Sequence, residues 1–138
     1  MEYWTEIYKN TIPLGEYQSL VQNGEDSGLL VKLESNHNIV NISFSIVSAF
    51  RMLDEGIILG EIFNSNEISR YKKDKFSNTI YKIEEGEFGD FIKKISNGLY
   101  TYLDLTHYII ITMNYVIEVI SKEEPIIEII KKNNIYRD

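Results

Sequence analysis

The chain contains no cysteine. That absence excludes a disulfide scaffold, a thiol nucleophile and any thiolate metal site, and it leaves the redox compartment open. Only two histidines are present, His37 and His107, at a spacing that matches no metal-ligand pattern. No metal site and no cofactor are expected. The eight glycines are scattered without a Gly-x-Gly-x-x-Gly or Walker arrangement, so a phosphate-cradling loop has no support. Apolar runs such as Tyr108 to Ile111 are far too short to span a bilayer, and the start, Met1-Glu-Tyr-Trp-Thr-Glu6, lacks the basic and apolar segments of a signal peptide. A soluble, cytoplasmic protein without membrane contacts is the expectation.

Basic residues are also scarce where it matters. Residues 1–70 hold 10 acids against 4 bases, whereas residues 71–138 hold 11 against 10, for a net charge of -7. Phosphate contacts dominate nucleic-acid affinity, so this balance argues against a nucleic-acid partner. It suits a surface that attracts a basic partner, or one that serves solubility alone.

What is present is ordinary globular material: 43% hydrophobic and 25% charged residues in 138 positions, enough for one domain spanning 1–138. The expected fold class is α+β, mainly antiparallel sheet with one principal helix packed on it. Residues 1–22 read as a short helix or irregular lead, interrupted by Pro13 and Gly15. Leu29, Val31 and Leu33 then share one side of a strand, and Val40, Ile42, Phe44 and Ile46 alternate with polar residues in a second. Val47 to Leu53 predicts a further strand or a bent continuation of that one, with a turn or bulge near Ser45 to Ser48. Ile57 to Ile62 stays open between strand and loop, Asn64 to Asn78 reads as an exposed connection, and Thr79 to Ile83 as a strand.

The clearest helix runs from Glu87 to Gly98. Phe88, Phe91, Ile92 and Ile95 recur at helical spacing, Glu87 and Asp90 complement the N-terminal dipole, and Asn97-Gly98 supplies a stop. Its apolar face predicts a sheet beneath it. Tyr108 to Met113 and Val116 to Ile120 form a hairpin about Asn114-Tyr115, and Ile126 to Ile130 is a last strand or a short helix.

No catalytic signature accompanies these elements. Ser96, His107 and Asp104 can be assembled into a triad on paper, but no Gly-x-Ser-x-Gly elbow supports it, and His107 reads better as the polar residue opening a strand. The adjacent acids Asp54, Glu55, Glu84, Glu85, Glu87 and Asp90 could do acid-base work, complement a helix dipole, or form a partner-binding patch. Ten tyrosines fit either a recognition surface or the codon bias of an AT-rich genome.

The order Phe44 … Ala49-Phe50-Arg51 … Asp54-Glu55-Gly56, then Tyr81-Lys-Ile-Glu84 … Phe88-Gly-Asp-Phe91 … Ser96-Asn-Gly98, then His107-Tyr108-Ile-Ile-Ile-Thr112 … Ile117-Glu118-Val119-Ile120-Ser121 … Glu124-Pro125 resembles a group of small bacterial proteins. Some of that group resemble immunity proteins encoded beside polymorphic toxins. The resemblance covers residues 40–126, and it implies a non-enzymatic protein that binds and neutralises a cognate toxin domain. A toxin that attacks nucleic acid is expected to be basic, and Asp54, Glu55, Glu84, Glu85, Glu87 and Asp90 are then the contact candidates. The alternative is a small-ligand or regulatory binding module with a pocket lined by Tyr81, Tyr100, Tyr102 and Tyr108.

Overall fold

A computed structural model describes residues 2–57 and 78–132. The expectations of a strand or loop at 57–62 and of an exposed connection at 64–78 fall, apart from their outermost residues, outside the described residues. Among the described residues nine strands dominate: β1 Tyr3–Glu6, β2 Gln18–Gly24, β3 Gly28–Glu34, β4 Asn38–Phe44, β5 Val47–Asp54, β6 Ile80–Glu85, β7 Thr106–Ile111, β8 Tyr115–Ser121 and β9 Ile126–Lys131. Two short helices, α1 Glu87–Ile95 and α2 Leu99–Tyr102, lie between β6 and β7.

The alternating runs decide where each strand goes. Strands β2-β3-β4-β9 pair in that order into one antiparallel sheet, and β1-β6-β7-β8-β5 into another. Leu29, Val31, Leu33, Val40, Ile42 and Phe44 from the first sheet share a core with Ile80, Tyr108, Ile110, Ile117 and Val119 from the second. The two sheets therefore stack face to face, as period-2 burial requires when both inner faces are apolar. Short corners carry the chain between them: Ser45 and Ile46 link β4 to β5, and residues 122–125 link β8 to β9.

The five-stranded sheet is apolar on its second face as well. Trp4, Tyr81, Ile83, Ile109 and Val116 form a separate cluster there, which explains the unbroken isoleucines of β7. The whole is mostly antiparallel sheet, with helices that are small.

Several expectations change in detail. The N-terminal lead holds a strand, because Trp4 is drawn into the cluster beside Tyr81, with ring centroids 5.4 Å apart. Ile46 is exposed because the chain leaves β4 at Phe44, and the expected irregularity appears as a register shift between Val47 and Ala49. The hairpin turn falls on Met113-Asn114, one residue earlier than expected. Thr112 and Tyr115 close it through a backbone N–H···O bond of 2.9 Å and a return bond from the Tyr115 N–H to the Thr112 hydroxyl at 3.1 Å.

The largest departure concerns the principal helix. Phe88 and Gly89 are its buried residues, whereas Phe91 and Ile95 remain 55% and 61% exposed. The buried part is the first turn, and Ile92 behind it is half-buried. The stop after Ile95 is as read: Gly98 takes φ 93, in the left-handed region glycine tolerates, and α2 starts directly behind it.

Candidate functional site

The site is built around a charged residue in the middle of an apolar strand. Glu118 lies between Ile117 and Val119 in β8, where alternation turns it onto the second face of the five-stranded sheet. It faces Arg51 on β5 and Ile109 on β7. A carboxylate placed there must be paired, because desolvation without a partner costs several kcal/mol, on the order of the penalty for a buried ion. Arg51 supplies the partner: Nε donates to Glu118 Oε2 at 2.6 Å, and Nη2 sits 2.6 Å from the same oxygen. His107 Nε2 lies 2.7 Å from the other oxygen, Oε1. A carboxylate already engaged by a guanidinium accepts from the imidazole, so Nε2 carries the hydrogen.

The first turn of α1 closes over this group. Arg51 Nη1 reaches Glu87 at 3.1 Å, its guanidinium stacks 4.8 Å above the Phe88 ring, and Phe88 meets His107 edge-on with centroids 5.8 Å apart. The helix has Gly86 at its N-cap and no side-chain cap of its own. A residue just ahead of β1 serves instead. Glu2 accepts a bond from the Glu87 N–H at 2.6 Å through Oε2, and one from the Trp4 indole at 3.0 Å through Oε1. Burial pushes the Glu2 carboxyl above its ordinary range, partly offset by those two bonds.

His107 and Glu118 are 2% and 3% exposed. Neither lines any of four open depressions formed by described residues. The contact is thus with a carboxylate, but beneath a helix and not in a cleft. Ser96 and Asp104 are elsewhere: the Ser96 hydroxyl bonds the Lys93 carbonyl and the Tyr100 N–H in the turn between helices, and Asp104 occupies a left-handed turn at φ 55. The sequence triad is not assembled.

Beyond its first turn, the helical segment presents an apolar surface to solvent. Phe91 and Ile95 are one turn apart on α1, and Leu99 and Tyr102 on α2 are 53% and 83% exposed. Acids border it, with Glu84 and Glu85 at the end of β6 and Glu87 and Asp90 on the first turn, all exposed. The structure brings these four together. Asp54 and Glu55 are also exposed, but they sit at the opposite end of the sheet, where Asp54 pairs with Tyr115 beside the hairpin turn. The six acids thus form two groups, because β5 and β6 run in opposite directions and deliver their C-terminal residues to opposite ends of the sheet.

The tyrosines do not line a common pocket. Tyr81 belongs to the cluster under the helix and Tyr108 to the core between the sheets, so they point to opposite faces. Tyr102 projects into solvent. Tyr108 does border one depression of about 550 Å³, with Lys82, Asp104, Lys122 and Glu124 on its rim. Burial pushes its phenol to about 12, so it stays protonated at neutral pH.

Sequence reasoning passed over Glu2, Arg51 and Glu118. Glu118 carried the signal, being the single charge in the run from Val116 to Ile120. No family model, no curated protein and no solved structure matches the chain. Among the described residues, no helix is long and apolar enough to cross a membrane.

Proposed function

We propose that the chain is a non-enzymatic binding protein whose contact surface is the outward face of α1 and α2. In this reading α1 is the principal helix, seated on the sheet by its first turn and turning its remaining apolar residues outward. The observation that carries the proposal is the exposure of Phe91, Ile95, Leu99 and Tyr102 beside Glu84, Glu85, Glu87 and Asp90. Large apolar side chains rimmed by charge are the usual composition of a recognition patch, with aromatic anchors at the centre and polar groups at the rim.

The partner is expected to be a protein with a basic rim, because four carboxylates border the patch and the whole chain carries -7. A cognate toxin domain fits that description, in line with the resemblance to immunity proteins. The buried Glu118 group then has a mechanical role. It fixes the first turn of the helix from below, so that the outer face is presented in one orientation and little ordering cost is incurred on binding. Co-expression with the product of the adjacent gene tests this reading. A stable complex and relief of growth arrest support it, and the absence of both overturns it.

A further inference from the structure

Four strands form the edges of the two sheets, and three of them carry features that discourage further pairing. Strand β1 is four residues long with a register shift at Tyr3/Trp4, β5 has a register shift between Val47 and Ala49, and β2 is polar at Gln18, Ser19, Gln22 and Asn23. Strand β9 is neither short nor shifted in register, and its charges are confined to Glu128 and Lys131 among four isoleucines. It pairs with β4 without interruption from Asn38↔Lys131 to Ser43↔Ile126. Its sequence is Ile-Ile-Glu-Ile-Ile-Lys, and among the described residues its other edge has no strand beside it. On the face turned from the core, Ile126 and Ile130 are 74% and 42% exposed on either side of Glu128. A water-facing strand surface is ordinarily polar.

We propose that β9 is a self-recognition edge, at which two copies of the chain pair antiparallel about a two-fold axis through Ile130. A two-fold axis perpendicular to the sheet keeps inner and outer faces aligned, so some residue must lie opposite its own copy. Centring on Glu128 sets two like charges against each other, which destabilises a cross-strand pair. Centring on Ile127 or Ile129 sets Glu128 against an isoleucine, and centring on Lys131 opposes two lysines. Centring on Ile130 places Glu128 against Lys132 of the second copy, twice by symmetry, with the two Ile130 side chains in contact between them. Lys132 lies 2.6 Å from Glu34 on the far side of β4, so its flexible side chain exchanges that exposed pairing for Glu128 of the second copy when the edges meet.

This edge is in the four-stranded sheet, away from the helices, and it does not use the binding surface proposed above. An interface of one strand per copy is smaller than the roughly 1,000 Å² of a lasting complex, so a reversible, concentration-dependent dimer is expected.

The absence of cysteine makes the test direct. Ile130→Cys introduces the only thiol, and residues opposite each other across antiparallel strands have Cα atoms about 4.5–5.5 Å apart, within disulfide reach. Mild oxidation of the full chain is expected to cross-link Ile130→Cys into a dimer. Ile126→Cys should remain monomeric, because the two copies of that position are about 27 Å apart in this register. Sedimentation of the cysteine-free chain over a concentration series should show dimer formation that Ile130→Lys abolishes, with circular dichroism confirming that the variant is folded. A wild-type chain that stays monomeric at every concentration, a dimer that survives Ile130→Lys, or equal cross-linking at both positions would overturn the proposal.

Discussion

Glu118 shows how one residue can set the terms for its neighbours. Its two oxygens are divided between Arg51 and His107, both on the face where α1 begins. Removing one partner of a buried pair costs more than the pair itself contributes, because the remaining charge keeps its desolvation penalty. Arg51→Met is therefore expected to lower the unfolding free energy by about 3 kcal/mol. Adding Glu118→Gln should restore more than half of that loss, since the amide removes the stranded charge and can still bond His107. Urea titration of both variants measures the difference, and simple additivity would show that the two residues act independently. Glu2 makes a separate, pH-dependent statement. Its folded-state pKa is raised above its ordinary value by burial, so the folded protein holds this proton more tightly than the unfolded chain does. The stability it contributes is full below that value and declines as pH rises through the folded value. The advantage of wild type over Glu2→Ala in denaturant midpoints should accordingly shrink from acid toward neutral pH, and a widening gap would contradict the assignment.

At the scale of elements, α1 carries a residue that disfavours a helix. Gly89 in the first half of a helix lowers its propensity by about 1 kcal/mol relative to alanine. The structure supplies the reason for it: a Cβ on Gly89 would lie 2.9 Å from His107 Nδ1, and that ring is held by Glu118. Gly89→Ala is expected to destabilise the fold despite the better helix former, by about 1–2 kcal/mol, typical of overpacking. A rise in melting temperature would mean that the helix is not seated on the imidazole. The elements themselves were largely legible. Alternation in β3 and β4 and the uninterrupted apolar runs of β7 and β8 gave strand identity and face, because period-2 burial is a local signal. The seating of α1 was not legible, since helical spacing of Phe88, Phe91, Ile92 and Ile95 reports an apolar stripe without saying what covers it. Trp4 misled in the same way: in an irregular stretch nothing local announces that Tyr81, more than seventy residues away, will bury it.

For the molecule as a whole, the mainly antiparallel sheet expected from the sequence is divided into two stacked sheets, and the pairing of distant strands such as β4 with β9 is a tertiary choice that composition does not encode. The charge count put the acidic surplus in residues 1–70. The acids that the fold exposes next to the apolar surface of α1 and α2 are Glu84 to Asp90, in the nearly balanced second half, and the count gave no warning that Asp54 and Glu55 would lie at the far end of the sheet. If that apolar and acidic face is the binding surface, association should slow as salt rises, because screening shortens the reach of the carboxylates to about 10 Å at 0.1 M. The most direct measurement is the calorimetric affinity of the adjacent gene's product for wild type and for the double substitution Phe91→Ser, Ile95→Ser. Both side chains are exposed, so stability should change by no more than about 0.5 kcal/mol for each. Binding should weaken by at least about thirtyfold if they are central anchors, equivalent to about 2 kcal/mol. An affinity unchanged by the double substitution would contradict the account.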